Sequence, residues 1–208
     1  MLVGAGNRRR GLIQATLLVG VLAGCTETPD DDAKPKVKAS TTTANETTPK
    51  SGGSIGAAGS ACELPVTFDI AEKWTAEAVG APLSQGLVSL ACEVDAKPAG
   101  HIGYLRVWTG TPGNNNARTA LEAFVIADKG ASKAKYSEFK ANGLTGAEVE
   151  YVYSDEFVET PKKERAFAVT TEDGPVVVHL GGLDTEEHEA MLPAYELARG
   201  TLEGSSLT

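Results

Sequence analysis

The sequence predicts an α+β fold for residues 61–208, the globular part of a chain of 208 residues. Several short stretches alternate polar and apolar residues, a pattern typical of half-buried strands. They lie at 66–70, 87–94, 101–109, 148–153, 165–171 and 175–180. Asp173-Gly174, between the last two stretches, is a dipeptide typical of a tight hairpin turn. Other stretches show helical periodicity instead.

The first helical stretch begins after the polar run 114–116, which predicts a turn and an N-cap. Beyond that run, apolar residues recur at three- and four-residue spacings, and Gly130 predicts where the helix stops. We expect a second, shorter helix over 133–141, with Tyr136 and Phe139 on one side.

A closing helix is predicted after Asp184, because Glu187 follows it at the spacing of a capping box. Met191 and Tyr195 belong to the apolar stripe of this helix. Pro193 falls inside the stripe, so the sequence predicts either a kink at that residue or a main helix that begins there.

Residues 1–24 predict an export signal that ends in lipid attachment. Three arginines at 8–10 precede the apolar run 12–22, and LAGC at 22–25 is a small-residue cleavage site that ends in cysteine. This resembles the lipobox of bacterial lipoproteins, which implies a diacylglycerol on the Cys25 thiol and cleavage just before it. Two acyl chains supply the two signals that stable anchoring needs. The alternative is an uncleaved membrane helix, but the apolar run is shorter than the roughly 20 residues that span a bilayer.

The excess of acidic over basic residues indicates which class of partner the protein does not bind. The chain has 19 Lys and Arg against 28 Asp and Glu, a net charge of −9. Residues 1–24 hold three arginines and no acidic residue, so their removal changes the net charge to −12. Lys and Arg supply the affinity for phosphate backbones, so we expect no nucleic-acid partner. The mean hydropathy is −0.15, which excludes a polytopic membrane protein.

Residues 25–60 predict a disordered tether. This segment is rich in Thr, Gly and Ser, and Val37 and Ile55 are its only large apolar residues. Such a composition buries too little apolar surface to offset the entropy lost on ordering. A flexible chain of roughly 35 residues has a root-mean-square reach of about 30 Å, enough to hold a domain clear of the lipid headgroups.

Cys62 and Cys92 are predicted to form a structural disulfide. Two cysteines in an exported domain most often pair with each other. They enclose a loop of about 30 residues, for which the chain-entropy model gives a stabilisation of roughly 3.5 kcal/mol. A zinc site is the alternative, but no second Cys or His lies at metal-ligand spacing around either cysteine. We therefore expect no metal and no cofactor.

The segment LPVTFDIAEKW at 64–74 resembles the opening of PsbP-like domains, including those of the LpqN-type lipoproteins of actinomycetes. Leader, tether, central helix and closing helix follow in the same order, so the resemblance covers most of 62–208. Ala71 stands where that opening usually has proline. The resemblance implies an antiparallel sheet covered by helices, an α-β-α sandwich. It also implies an accessory or binding role in the cell envelope rather than catalysis.

No complete catalytic motif is present in the sequence. GGSIG at 52–56 matches the nucleophile-elbow pattern but falls in the predicted tether, whereas that motif needs a strand-to-helix turn. The S-x-x-K match at 132–135 lacks its companion motifs, and the His-Glu pair at 188–189 lacks the second histidine of the zinc-protease motif. A small hydrolase with an unrecognised site is an alternative, which a serine or an acid beside His101 or His179 in a pocket would favour.

Tyr104, Arg106 and Trp108 form a candidate binding patch. They share one face of the predicted strand 101–109, and Tyr, Arg and Trp are enriched at binding hot spots. The alternative is that the two aromatic residues belong to the core beneath a helix while Arg106 reaches the edge. We refer to these three residues as the predicted patch.

These observations predict a non-catalytic accessory or binding lipoprotein on the extracytoplasmic face of the cell membrane, attached through Cys25. The expected partner is an envelope protein, or a cell-wall or lipid component. Besides the hydrolase, a solute-binding lipoprotein is an alternative, but 61–208 is short for the usual two-lobed form of that class.

Overall fold

The computed structural model describes residues 49–81, 83–113, 116–156 and 160–205, which all lie within the compact unit Ala44–Thr208. The predicted signal peptide, Cys25 and most of the predicted tether lie outside the described residues. The strands are β1 (Ser51–Ile55), β2 (Val66–Ala71), β3 (Thr75–Ala78), β4 (Ser84–Gln85), β5 (Val88–Asp95), β6 (Gly103–Gly110), β7 (Ala131–Ala141), β8 (Leu144–Tyr153), β9 (Lys162–Thr171), β10 (Gly174–Gly182) and β11 (Glu203–Gly204). The helices are α1 (Ala117–Ala127) and α2 (Thr185–Gly200), with a short 3-10 helix at Lys97–Ala99.

Eight strands form one antiparallel sheet in the order β3-β5-β6-β10-β9-β8-β7, with β4 also paired to β5. Strands β1, β2 and β11 form a second, three-stranded antiparallel sheet. The predicted α+β class and the antiparallel sheet are confirmed. The Asp173-Gly174 turn joins β9 to β10, as its dipeptide indicates.

The two helices cover opposite faces of the large sheet. Successive residues of a strand project to opposite faces. On β10, Val176 and Val178 pack in a cluster with α2 and β2, whereas Val177 packs in a cluster with α1. The layers therefore follow an α-β-α order, and the three-stranded sheet lies on the α2 side.

Helix α1 forms where the sequence predicts it. The Asn116 side chain accepts a hydrogen bond from the Thr119 backbone N–H at 2.9 Å, which is the geometry of an N-cap. Leu121, Phe124 and Val125 lie on the buried face of the helix. The helix stops at Ala127, a few residues before the predicted limit.

Helix α2 begins at Thr185 rather than at Pro193. The Asp184 carboxylate accepts a hydrogen bond from the Glu187 backbone N–H at 2.8 Å, so the predicted capping interaction is present. The helix is continuous through Pro193, and Met191 and Tyr195 are fully buried in the core between α2 and the sheet.

The predicted helix over 133–141 is wrong, because this segment is the edge strand β7. An Asn142-Gly143 turn joins it to β8, and both turn residues have positive φ, 46° and 84°. This dipeptide favours the tight turn of a hairpin, and pairing with β8 outweighs the helix propensity of the Lys-rich segment. A spacing of three places Tyr136 and Phe139 on opposite faces of a strand, and each packs against a different core cluster.

The predicted tether extends too far, because ordered structure begins before residue 61. Strand β1 pairs with β2, and Ile55 is buried. A Cβ atom built on Gly52 would lie 2.7 Å from the Ala71 carbonyl oxygen, so the small residue permits the close approach. Backbone pairing of this kind needs no apolar side chains, which is why composition alone misses it. The G-x-S-x-G match at 52–56 thus overlaps a strand, not a tether.

The predicted disulfide between Cys62 and Cys92 is present, with 6.0 Å between the two Cα atoms. Cys62 lies shortly before β2 of the small sheet, and Cys92 lies on β5 of the large one. Both are buried. The bond therefore joins the two sheets covalently.

Candidate functional site

Helix α1 covers only part of its face of the large sheet. On each of three strands, the residues beneath the helix are apolar or small, and the residues beyond the C-terminal end of the helix are polar. On β9 this face changes from Ala168 and Ala166 to Glu164 and Lys162, on β10 from Val177 to His179, and on β6 from Trp108 to Arg106 and Tyr104. The change from apolar to polar residues occurs at a similar position along all three strands, so the polar side chains of neighbouring strands lie close together.

An open cavity of about 320 Å³ lies over these polar side chains, next to the end of α1. The helix ends there because Asp128 adopts an extended conformation, φ −86° and ψ 99°. The Asp128 carboxylate accepts a hydrogen bond from the Gly130 backbone N–H at 3.3 Å. Burial raises the pKa of Asp128, although that hydrogen bond and His179 oppose the shift. We call this space the α1-end cavity.

Glu164 is the centre of the charged network in the α1-end cavity. It is 4% exposed, and its two carboxylate oxygens lie 2.8 Å from Lys162 Nζ and 2.7 Å from His179 Nε2. Lys162 Nζ also donates to the Gly182 carbonyl oxygen at 2.6 Å. Burial alone would raise the pKa of Glu164, but His179 and Lys162 outweigh it and hold the pKa below its ordinary value. Glu164 is therefore a carboxylate at neutral pH.

Tyr151 extends this network beneath the cavity. Its hydroxyl lies 3.2 Å from His179 Nε2, and its ring stacks on the His179 ring with 6.3 Å between centroids. Burial and the nearby Glu164 carboxylate raise the pKa of Tyr151 far above its ordinary value, so the phenol stays protonated. The Glu164 carboxylate and the Tyr151 hydroxyl thus both contact His179 Nε2, and the Tyr151 ring stacks on the imidazole.

Arg106 and Tyr104 form a second cluster at the cavity. Arg106 Nε donates to Glu93 at 2.7 Å, and another guanidinium nitrogen donates to the Tyr104 hydroxyl at 3.1 Å. The guanidinium carbon lies 3.8 Å from the centroid of the Tyr104 ring. A Cβ atom built on Gly181 would lie 2.6 Å from that ring, so the ring lies against the backbone of β10. Both side chains are therefore held in place without a ligand.

Trp108 belongs mainly to the core. It is 2% exposed and packs edge-to-face on Phe124, with 5.4 Å between ring centroids. Its Nε1 is buried and has no hydrogen-bond partner among the described residues. The predicted patch is thus divided, because Tyr104 and Arg106 line the cavity while Trp108 forms its inner wall under α1. That the patch binds a ligand stays a prediction.

The amino-acid sequence identifies the protein family to which the chain belongs. A family model described as "Uncharacterised lipoprotein" matches residues 32–202. The chain belongs to this lipoprotein family. No curated protein matches it. The prediction of a lipoprotein is confirmed at the level of the family.

Among solved structures, this lipoprotein is similar to the solution structure of cyanobacterial PsbP (CyanoP) from Synechocystis sp. PCC 6803. The two share 12% sequence identity, the match covers 68% of this chain and 87% of that chain, and the TM-score is 0.49. The LpqN type and the actinomycete source stay predictions.

The lipoprotein's other histidines lie outside the α1-end cavity. His101 is half-buried, and its Nδ1 lies 3.3 Å from Glu187 on α2. His188 is 3% exposed, on the face of α2 that meets the sheet. Within the described part of the chain, no group of three or more His, Cys, Asp and Glu residues could hold a metal ion. No helix in the same part is long and apolar enough to cross a membrane.

Sequence reasoning missed Lys162, Glu164 and Tyr151. The sequence contains a signal for two of them, because Lys162 and Glu164 lie four and two residues before Ala166 on β9. The two-residue period of a strand therefore places all three on the same face. The condition stated for a hydrolase, an acid beside His179 in a pocket, is met by Glu164.

Proposed function

We propose that this protein is a lipid-anchored, extracytoplasmic lipoprotein of the cell envelope that binds its ligand at the α1-end cavity and does not act as an enzyme. The ligand is an envelope protein, or a cell-wall or lipid component. We also assign the chain to the LpqN type of actinomycete lipoproteins, on the segment 64–74. Family membership and the lipobox at 22–25 support the anchor.

The observation that carries the proposal is a cavity whose polar groups are held in place by one another. Arg106 is held by Glu93 and Tyr104, and Lys162 by Glu164 and the Gly182 carbonyl oxygen. Side chains that are already ordered lose little entropy when a ligand arrives, which favours binding. The volume lies near the lower end of the range of about 300–1,000 Å³ for small-molecule sites. None of the described residues that line the cavity is a serine, threonine or cysteine.

The anchor is tested by intact mass and fractionation of the full chain from its native membrane. We expect a mass that corresponds to cleavage before Cys25 plus acyl chains, in the membrane fraction. A Cys25→Ala chain should lose both the acyl mass and the cleavage before residue 25. A wild-type chain that is uncleaved, or free of lipid, would contradict the anchor.

The binding site is tested with Arg106→Ala, using the lipidated full chain to capture ligands from envelope extract. Arg118→Ala is the matched control, because Arg118 lies on an exposed part of α1 outside the cavity, where it pairs with Glu122 and stacks on the Tyr136 ring. We expect Arg106→Ala to lose a ligand that the wild type and Arg118→Ala retain, at an unchanged melting temperature. Trp108→Ala should instead lower the free energy of unfolding by about 3–5 kcal/mol, as expected for a core residue. Equal capture by wild type and Arg106→Ala would contradict a binding site at this cavity.

A small hydrolase is the second candidate, because Glu164 lies beside His179 in the cavity. If Nε2–H donates to the Glu164 carboxylate, Nδ1 is the nitrogen able to take a proton from water, which would act as nucleophile. The Glu164 carboxylate would stabilise the resulting imidazolium. This candidate requires hydrolysis of an ester or glycoside by the wild type that His179→Gln abolishes while folding is retained. Binding that survives in His179→Gln, with no hydrolysis by the wild type, supports the first candidate.

A further inference from the structure

A second pocket, of about 240 Å³, lies on the opposite face of the large sheet, between β7 and the first half of α2. Four basic residues line it, Lys133, Lys135, Lys163 and Arg165, together with three acidic residues, Glu150, Glu164 and Glu189, and with His188 and Leu192 of α2. We call it the β7 pocket. Its basic character contrasts with the net charge of −9 of the whole chain.

Two of these basic residues have acidic partners. Lys163 Nζ lies 2.5 Å from a Glu189 carboxylate oxygen, and Arg165 pairs with Glu150. Lys133 and Lys135 form no ion pair with any residue in the described ranges. Lys133 and Lys135 are therefore the two positive charges of the pocket that no ion pair in those ranges compensates, although Glu150 lies opposite Lys135 in the pairing of β7 with β8.

A β-bulge places these two lysines at the same pocket. The pairing of β7 with β8 passes from Ser132 opposite Val152 to Lys135 opposite Glu150, so β7 has one extra residue there. Lys133 has φ of 54°, in the left-handed region that residues other than glycine seldom adopt. The bulge interrupts the regular alternation of this edge strand where the lysines line the pocket.

His188 is a second, independent polar group at the β7 pocket. Its side chain is 3% exposed, and its buried Nδ1 has no hydrogen-bond partner among the described residues. Burial lowers the pKa of His188 to about 4, so the imidazole is neutral at physiological pH and carries one N–H donor. A buried polar nitrogen without a partner costs free energy, which an acceptor oxygen would recover.

We propose that the β7 pocket binds a phosphate group, held by Lys133 and Lys135 and by a hydrogen bond from His188. A phosphate monoester carries a charge of about −1.5 to −2 at neutral pH, which matches two uncompensated lysines, whereas a carboxylate would neutralise only one. Lysine binds phosphate as a point charge, so the site needs no guanidinium fork. The phosphate belongs either to a free monoester or to a lipid headgroup. This inference does not depend on the proposed function of the α1-end cavity.

The test uses the full chain with Cys25→Ala, which carries no acyl group, and vesicles of phosphatidylcholine alone report any binding through the apolar run 12–22. Calorimetric titration with inorganic phosphate should show saturable binding. Lys133→Gln with Lys135→Gln should weaken it about tenfold or more, because two charge-assisted contacts are lost. Lys97→Gln with Lys140→Gln is the matched control, because it removes the same charge from exposed lysines outside the pocket. The control should retain the wild-type affinity.

Two further measurements locate the site and identify its source. On addition of phosphate, the ring ¹⁵N signals of His188 should shift while those of His179, in the α1-end cavity, stay in place. Flotation with phosphatidylcholine vesicles that contain phosphatidic acid, lost in the Lys133 and Lys135 variant, would assign a lipid headgroup. Phosphate binding without flotation would assign a free monoester.

Three outcomes would overturn the proposal. The first is the absence of both saturable phosphate binding and flotation. The second is equal loss of affinity in the control variant, which would indicate general surface charge. The third is a shift at His179 in place of His188, which would move the anion to the other cavity.

Discussion

Phe124→Ala is expected to destabilise the protein strongly, because Phe124 is a fully buried residue of α1 whose ring packs on two side chains of the sheet. It is 0% exposed, and its ring lies 5.4 Å from that of Trp108 and 5.5 Å from that of His179. Truncation of a buried Phe to Ala costs about 3–5 kcal/mol. An edge-to-face aromatic pair contributes about 0.5–1.5 kcal/mol beyond buried area, so we expect the upper half of that range. For a domain of this size the melting temperature should fall by roughly 8–20 °C.

The assay is urea unfolding of the wild type and Phe124→Ala, with Ile126→Ala as control. Ile126 lies on the same helix and is 80% exposed. Its truncation should change the free energy of unfolding by no more than about 0.5 kcal/mol. A cost below about 1 kcal/mol for Phe124→Ala, or an equal cost for both variants, would refute the packing of α1 through this face.

Two other predictions concern the disulfide and pH. Replacing both Cys62 and Cys92 by serine should lower the free energy of unfolding by roughly 3.5 kcal/mol. The measurement is the midpoint of denaturant unfolding, and an unchanged midpoint would show that the disulfide adds no stability. Stability should fall as pH is lowered from 6.5 towards 4, because the pKa of His188 is about 4 in the folded protein against 6.5 as its ordinary value. In that window the unfolded chain binds a proton that the folded protein does not, so acid favours unfolding. His188→Gln should flatten the dependence between pH 6.5 and 5, and an unchanged slope would assign it to other groups.

The elements that depend on local signals follow the sequence closely. Asn116 and Asp184 cap the two helices as predicted, and the Asp173-Gly174 turn forms the β9–β10 hairpin. Each of these signals acts over a few residues, between a side chain and its own backbone. Periodicity and capping therefore suffice to place them.

The two wrong elements are strands that form through pairing rather than through their own composition. Segment 133–141 contains good helix formers, yet the Asn142-Gly143 turn brings it alongside β8. Strand β1 has almost no apolar side chains and is held by backbone pairing with β2. In both cases the partner strand, not the segment itself, decides the conformation.

The sequence by itself determined the positions of both helices, the hairpin and the pairing of the two domain cysteines, and it predicts the lipobox. It also placed Tyr104 and Arg106 on one face of a strand. Only the tertiary structure decided that Arg106, Glu164 and His179 lie at one cavity. They come from three strands, and the pairing register across β6, β10 and β9 sets their distances. A shift of one residue in that register would turn the polar side chains of a strand to the other face of the sheet. The periodicity within a single strand does not specify its register with a strand that is distant in sequence.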